Sequence, residues 1–259
     1  MTLPQGPLGY AIESERRFEL ESTGREPSEM LKAYRDAFPK LNITADARGA
    51  VRVLDQGQQG SCQGHSLAQA FSVCYFLVTG RYLAFSRAAG YYLSQKFDNI
   101  RGDQGSTLSG GNKVATQHGI CLEEEWPYPS RYTPAQPPGI QFRFKLATSR
   151  PMRTIGEMQE WIENGLPIQT GLSWNDSCNQ EVVDNWRSGG GGHSTLLWLT
   201  TGTNGELVNN INSWGDDWNG DGQHKWTWQS IERALRHSWT TFIGYAPDGM
   251  SFPDAEPIA

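Results

Sequence analysis

The clearest pattern of apolar and polar positions follows Cys62, where apolar residues recur at every third or fourth position. The residues that form it are Leu67, Ala70, Phe71, Cys74 and Val78. This spacing predicts a helix that begins at Cys62, continues to about Thr79 and ends at Gly80. Similar patterns predict three shorter helices, over residues 27–38, 85–93 and 107–118. Alternating apolar and charged residues predict a short strand over residues 50–54.

The pattern changes in the second half of the chain. A helix is predicted over residues 155–164, with Met158, Trp161 and Ile162 on one face and Gly165 after its end. Short runs rich in β-forming residues follow at 167–172, 194–200, 206–212, 223–228 and 241–245. Short strands joined by Gly-rich turns are typical of an antiparallel sheet or barrel. The sequence therefore predicts an α+β protein, with a helical lobe over about residues 62–146 and an antiparallel, barrel-like β lobe over about residues 150–246.

Length, composition and charge narrow the class of protein. The chain has 259 residues, enough for one large domain or two lobes. It contains no apolar run long enough to cross a membrane, and its net charge of −6 comes without a basic cluster. We therefore expect neither a membrane partner nor a nucleic-acid partner. Residues 1–17 lack the apolar core of a signal peptide, which predicts a cytoplasmic protein.

The chain has four cysteines, and their arrangement bears on metals and disulfides. They are Cys62, Cys74, Cys121 and Cys178. No pair has the spacing of metal ligands, and we expect neither a metal nor another cofactor. If Cys62 is the nucleophile, three cysteines remain, an odd number that cannot all pair in disulfides. This favours a protein of a reducing compartment. A Cys74–Cys121 bridge remains open.

Cys62 is the candidate nucleophile because of its place at the start of the predicted helix. There the thiol meets unpaired backbone N–H groups and the positive end of the helix dipole, which both favour thiolate. Gln56 lies six residues earlier on a Gly-rich turn that could fold its amide back towards the sulfur. An amide N–H beside a helix-start N–H could stabilise an oxyanion. The alternative is a buried structural cysteine.

A thiolate nucleophile needs a base and a group that orients the base. His193 follows four glycines and opens an apolar run, and Asn212 ends the predicted strand after it. Cysteine first, histidine late and asparagine later is the order of a Cys-His-Asn arrangement. The competing base is His65, three residues after Cys62 on the same helix, which we interpret as a packing residue. Asn209 and Asn210 are neighbouring alternatives to Asn212.

Four segments in order resemble the papain-like cysteine peptidases, most closely their bacterial and archaeal members. They are Gln-Gly-x-x-Gly-Ser-Cys at 56–62, the block from Gly105 to Tyr128, Gly-Gly-His at 191–193 and Asn-Ser-Trp-Gly at 212–215. The resemblance spans roughly residues 50 to 245 and implies two lobes with the active-site cleft between them. It also implies a peptidase domain over residues 41–250. Residues 1–40 would be a leader that contacts this domain, either as a short prosegment or as a structural arm.

The resemblance implies a cysteine endopeptidase that hydrolyses peptide or protein substrates through a thioester acyl-enzyme. Cys62, His193 and Asn212 would form the triad, and Gln56 would help to bind the oxyanion. Trp214 would cover the hydrogen bond between His193 and Asn212. The substrate would lie along residues matching the family's binding loops, namely Gly105, Ser106, Thr107, Gly191, Gly192 and Ser194. The uncharged wall at Gly191 and Gly192 would accept bulky apolar or aromatic side chains.

Departures from the family pattern keep other functions open. Gln63 follows the nucleophile where an aromatic or small residue is usual, and four glycines precede His193. Gln59 occupies the position of a cysteine that secreted relatives bridge. The alternatives are a catalytically silent peptide-binding module and an acyl transfer other than hydrolysis, such as ligation, deamidation or deconjugation.

Residues 217–222 resemble the start of a calcium loop, but Trp228 stands where the bidentate glutamate should be.

Overall fold

The computed structural model describes residues 8–10, 51–146 and 148–247. The predicted helix at 27–38 and the boundary near residue 40 lie outside this part of the chain. The helices are α1 Cys62–Thr79, α2 Arg87–Asp98, α3 Leu108–Lys113, α4 Ile155–Glu163 and α5 Trp228–Leu235. The strands are β1 Thr148–Pro151, β2 Ile168–Trp174, β3 Val182–Val183, β4 Gly191–His193, β5 Leu196–Thr201, β6 Leu207–Ile211, β7 Gln223–Thr227 and β8 Thr241–Ala246. The α+β fold class is confirmed.

Helix α1 is the centre of the molecule and has the predicted bounds. It begins at Cys62 and ends at Thr79, followed by Gly80 in the left-handed conformation. All of its residues except Tyr75 and Val78 are buried. A helix that is buried on all sides belongs to the core, which is why its polar face also packs against protein.

Helix α2 crosses α1 at an unusually short distance. A Cβ on Gly64 would lie 2.6 Å from the backbone nitrogen of Tyr91, and one on Gly90 would lie 2.9 Å from the Gly64 carbonyl oxygen. Two glycines facing each other therefore let the two backbones touch. The Ser86 hydroxyl caps α2 by accepting from the Ala89 N–H at 2.9 Å.

The predicted helix at 107–118 divides into two parts. Thr107 caps α3, and the chain continues after Lys113 as a wider π-helical turn over Val114–His118. Gly119 follows with a φ of 99°, a conformation that glycine adopts readily. The prediction was right in extent and missed only the widening of the last turn.

The β lobe is one open sheet in the order β1-β8-β2-β5-β6-β7-β3, with β4 added to β2. Every pairing is antiparallel except β3 with β7. All seven residues of β2 are buried, because this strand lies beneath α1. The largely antiparallel β lobe is as predicted, but its sheet stays open and does not close into the barrel-like form that was expected. Helix α4 packs on it through Met158, Trp161 and Ile162, as predicted.

Two sequence-based predictions need correction. Residues 51–54 do not form a strand: the pairing is a single bridge between Asp55 and Trp214 before the chain turns at Gly57, whose φ is 58°. The strand predicted to reach residue 228 ends at Thr227, because Thr227 caps a further helix, α5, by accepting from the Ser230 N–H at 3.2 Å. The short strands β1, β3 and β4 were also not predicted.

No helix in the described part of the chain is long and apolar enough to span a bilayer. The four cysteines are all buried and free, and thus Cys74 and Cys121 do not form the bridge that the sequence left open.

Candidate active site

Cys62 lies at the start of α1, directly after the Gly-rich turn, and is fully buried. The backbone N–H groups of Ser194, Gly9, Gln63 and Cys62 itself face its thiol and favour thiolate. Burial outweighs them and raises the pKa of Cys62 to about 12. The contact with Ser194 joins the helical lobe to the β lobe, since Ser194 follows His193.

His193 is the last residue of β4 and pairs with Leu172 of β2. Its Nε2 lies 2.8 Å from Asn212 Oδ1, which also accepts the Ser213 N–H at 2.8 Å. A carbonyl oxygen only accepts, and Nε2 must therefore carry the proton. The neutral ring then leaves Nδ1 unprotonated, and Nδ1 is buried without a hydrogen-bond partner among the described residues. Burial lowers the pKa of His193 to about 4.

Two tryptophans enclose the imidazole. Trp214 stacks on His193 with ring centres 4.7 Å apart and planes at 26°. Trp174, from β2, meets the ring edge-on at 4.6 Å. These rings keep water from the His193–Asn212 hydrogen bond, which strengthens it. The sequence pointed to Trp214 through the Asn-Ser-Trp-Gly run, but no motif singled out Trp174.

Gln56 is buried and held from several sides. Its Nε2 donates to the Gln59 carbonyl at 2.8 Å, and its Oε1 accepts the Ser213 hydroxyl at 2.7 Å. Its backbone N–H donates to the Ser213 carbonyl at 2.9 Å. Because Ser213 also binds Asn212, the same residue of the β lobe orients both the amide and the asparagine. Sequence reasoning did not identify Ser213 as a site residue.

The residues matched to the substrate loops have different partners in the structure. The Ser106 N–H donates to the Gly9 carbonyl at 3.1 Å, and Tyr10 forms a parallel bridge with Ser106. Gly105 and Thr107 are instead tied to α2, Gly105 through the Tyr91 hydroxyl and Thr107 through the Asp98 carboxylate. Ser106 is thus the member of this loop whose backbone pairs with another segment across the cleft.

That other segment is the chain's own Leu8-Gly9-Tyr10. The Tyr10 N–H donates to the Gly192 carbonyl at 3.0 Å, opposite the bond from Ser106 to Gly9. A Cβ on Gly9 would lie 2.0 Å from the Gly60 carbonyl oxygen, so only glycine fits there. No pattern in the sequence indicates that residues 8–10 would contact these loops.

The wall at Gly191 and Gly192 is covered by the same segment. Cβ atoms there would lie 2.5 Å from a Leu8 methyl carbon and 2.0 Å from the Tyr10 carbonyl oxygen. Tyr10 is 4% exposed, and its ring packs against Gly171, where a Cβ would lie 2.6 Å from it. An aromatic side chain therefore occupies the space that the sequence predicted to be roomy and uncharged. Ser194 points away from it, and its hydroxyl contacts the Ser66 hydroxyl at 2.7 Å.

The competing histidine, His65, contacts the backbone of the turn that precedes α1. Its ring nitrogens contact the backbone carbonyls of Ser61 and Asp55 at 3.0 and 3.2 Å, and burial lowers its pKa to about 3. The described residues contain no group of three or more His, Cys, Asp and Glu side chains placed to hold a metal ion.

Comparison with solved structures identifies the fold. Xylellain, a cysteine protease from Xylella fastidiosa, superimposes with a TM-score of 0.68 at 22% identity, covering 95% of this chain and 98% of xylellain. Procathepsin B from Trypanosoma congolense gives a TM-score of 0.66 at 17% identity, over 92% of this chain and 86% of that one. The proform of a ragweed pollen cysteine protease gives a TM-score of 0.62 at 17% identity, covering 77% of this chain and 63% of that one.

The protein therefore has the papain-like fold, as its sequence motifs implied. At these identities the likeness shows the fold alone. No protein-family model matches the sequence, and no curated protein matches it.

Proposed function

We propose that the protein is a cysteine endopeptidase that hydrolyses peptide bonds of peptide or protein substrates. One observation carries the proposal: the buried His193 imidazole is bound to Asn212 through Nε2, its Nδ1 has no hydrogen-bond partner among the described residues, and the next residue, Ser194, faces the Cys62 thiol. A neutral base with one nitrogen fixed and the other unpaired is the arrangement that activates a nucleophile. The papain-like fold supports the same conclusion.

In the first half of the reaction, His193 Nδ1 takes the thiol proton and the Cys62 sulfur attacks the scissile carbonyl carbon. The carbonyl oxygen becomes an oxyanion, which the Gln56 amide and the Cys62 backbone N–H stabilise. The His193 imidazolium then gives its proton to the leaving amine nitrogen, and the carbon–nitrogen bond breaks. A thioester on Cys62 and a free amine result.

In the second half, His193 takes a proton from water, and the resulting hydroxide attacks the thioester carbonyl. The carbon–sulfur bond breaks, the acid product leaves and the proton returns to the thiol. Asn212 holds the ring in one orientation through both halves. No step needs a metal or cofactor.

We further propose that Leu8-Gly9-Tyr10 blocks the cleft of the full chain. The segment pairs with Ser106 and Gly192 and covers Cys62. Under this cover the thiol and imidazole are both neutral at neutral pH, because burial raises the pKa of Cys62 to about 12 and lowers that of His193 to about 4. Displacing the segment admits water, which favours the thiolate–imidazolium pair.

The test is labelling of the purified protein with an epoxide inhibitor of papain-like peptidases, with Cys62→Ala as the control. We expect selective modification of Cys62, faster once the leader is displaced, and hydrolysis products of a peptide library in mass spectrometry. A Cys62 that labels no faster than free cysteine would instead support the silent binding module. Products joined without added water would support ligation.

A further inference from the structure

A group of polar side chains, formed by Ser61, His65 and Tyr128, packs against the turn of residues 55–62. The Tyr128 hydroxyl donates to the Gln56 carbonyl at 2.8 Å and contacts the Ser61 hydroxyl at 2.5 Å. His65 contacts the Asp55 carbonyl through Nε2 at 3.2 Å and the Ser61 carbonyl through Nδ1 at 3.0 Å. His65 and Tyr128 thus contact three backbone carbonyls of one turn, those of Asp55, Gln56 and Ser61, and the Ser61 hydroxyl contacts both of these side chains.

The protons of this group can be assigned from its geometry. Tyr128 has a single hydroxyl proton, and since it goes to the Gln56 carbonyl, Ser61 donates its own proton to the Tyr128 oxygen. The Ser61 hydroxyl, having given its proton to Tyr128, can only accept from His65 Nδ1 at 3.3 Å, and the Ser61 carbonyl lies 3.0 Å from the same nitrogen. Two acceptors therefore face Nδ1, and the ring proton of His65 belongs there. Tyr128 and His65 thus each hold a backbone carbonyl of the turn, those of Gln56 and Ser61.

The turn carries both donors that the proposed mechanism assigns to the oxyanion. The Gln56 side chain starts from the residue that Tyr128 holds, and the Cys62 N–H follows Ser61. Gln56 is hydrogen-bonded from both lobes, by Ser213 of the β lobe and by Tyr128 of the helical lobe. Hydrogen-bond donors stabilise an oxyanion most when they already point to its position before the reaction, so that no rearrangement is needed.

The Tyr128 ring is fixed independently of its hydroxyl. The Arg87 guanidinium lies over the ring at 5.0 Å, and Arg87 pairs with Glu123, whose carboxylate accepts the Tyr128 N–H at 2.9 Å. The ring also meets His65 edge-on at 4.6 Å. Removing only the hydroxyl therefore leaves the packing of the ring in place.

We propose that Tyr128, together with Ser61 and His65, is a positioning residue that aims the oxyanion donors Gln56 and Cys62. The inference rests on the proposed peptidase function. It gives a role to Tyr128, the last residue of the block from Gly105 to Tyr128 that resembles the papain-like peptidases.

The test compares full-length wild-type protein with Tyr128→Phe. Loss of the hydroxyl should lower kcat about 10- to 100-fold, since small misplacement of a catalytic donor has effects of this order. KM should change less than about twofold, because the donors act on the transition state. Ser61→Ala should give a smaller loss in the same direction. Tyr132→Phe is the matched control, because its hydroxyl donates to Gln95 at 2.9 Å.

Two probes of Cys62 separate aiming from general damage to the site. A peptide aldehyde forms a tetrahedral adduct whose oxygen uses the oxyanion donors, and Tyr128→Phe should weaken its binding by a factor similar to the loss in kcat. Iodoacetamide alkylates the thiol without forming an oxyanion, and its rate should stay unchanged. Equal losses with both probes would overturn the inference in favour of a merely structural role.

The outcomes also distinguish this inference from the proposal beneath it. An active wild type with an equally active Tyr128→Phe variant overturns the inference alone. A wild-type protein that reacts with iodoacetamide but neither hydrolyses peptides nor binds the aldehyde overturns the peptidase proposal and this inference with it.

Discussion

The hydrogen bond from His193 to Asn212 gives the most direct prediction at the scale of single residues. Asn212→Ala removes the acceptor that fixes the imidazole and its tautomer. We expect kcat to fall about 10- to 100-fold, since an unoriented base spends much of its time in unproductive states. The measurement is steady-state hydrolysis of a fluorogenic peptide, normalised to the Cys62 content.

The matched control for this prediction is Asn209→Ala, on strand β6, which ends one residue before Asn212. Asn209 lies three residues before Asn212, is only half-buried and has no place in the proposed mechanism. Equal rates for both variants and the wild type would show that Asn212 does not orient the base.

Gly9 allows the proposed blocking segment to be tested by a single methyl group. A Cβ there would meet the Gly60 carbonyl at 2.0 Å, a backbone atom that cannot move aside cheaply. Gly9→Ala should therefore displace the segment from Cys62. We expect both the peptidase rate and the epoxide labelling rate of the full chain to rise by about tenfold or more. The reason is that destabilising the covered state by about 1.4 kcal/mol changes its population relative to the open state by a factor of ten.

Gly156→Ala serves as the control, since a Cβ there meets nothing within 4 Å. If Gly9→Ala leaves both rates at the wild-type value, Leu8-Gly9-Tyr10 does not limit access to the cleft.

At the scale of elements, the crossing of α1 and α2 depends on two glycines. Gly64→Ala would place a Cβ 2.6 Å from the Tyr91 nitrogen and 2.8 Å from the Arg87 carbonyl oxygen. Because both are backbone atoms, the helices must separate, and overpacking of this kind costs about 1–3 kcal/mol. We expect a lower midpoint of urea unfolding for Gly64→Ala. Gly156→Ala, in a helix without such a neighbour, should be neutral or slightly stabilising.

Elements with strong local signals were the ones predicted from the sequence. Helix α1 has both a 3.6-residue pattern and Gly80 as a stop signal, and its predicted bounds match the structure. Helix α5 also has a local signal, Thr227 followed by Ile231 and Ala234 on one face, but the strand predicted to reach residue 228 overlaps its first turn. Strands β3 and β4 have two and three residues, too few to show an alternating pattern.

The candidate site could be predicted only where its residues stand in motifs. Cys62, His193 and Asn212 come from motifs, and the structure brings His193 and Asn212 together. Contacts between distant segments, by contrast, follow from the packing of the lobes, and no local pattern encodes them. The placement of Leu8-Gly9-Tyr10 on Ser106 and the contact of Tyr128 with Gln56 are of this kind.

At the scale of the whole molecule, a buried polar seam joins the two lobes beneath the cleft. Gln169 of β2 donates to the Gln63 carbonyl at 2.9 Å and to the Ser66 hydroxyl at 2.8 Å, and Ser66 contacts Ser194. Gln63 and Ser194 each follow a candidate catalytic residue. The relative position of Cys62 and His193 is therefore set by the interface between the lobes.

Burial of three histidines makes the stability of the whole fold depend on pH. Burial lowers the pKa of His65 to about 3, of His193 to about 4 and of His224 to about 3. In the unfolded chain each has a pKa of about 6.5. Between those limits the unfolded state binds more protons than the folded state, and stability must fall as pH falls below about 6.5. Three such groups give a slope of up to about 4 kcal/mol per pH unit.

The window from pH 6.5 to 5 isolates this effect, because ordinary carboxylates protonate mainly below it. We expect the free energy of unfolding, measured by urea titration at pH 7, 6 and 5, to decrease steeply. His224 accepts the Trp226 indole N–H and has no role in the proposed mechanism. His224→Gln should therefore lower the stability at pH 7 but reduce the slope by about a third, since one of three proton-binding sites is lost. A flat profile between pH 6.5 and 5 would show that these histidines are not kept neutral by the fold.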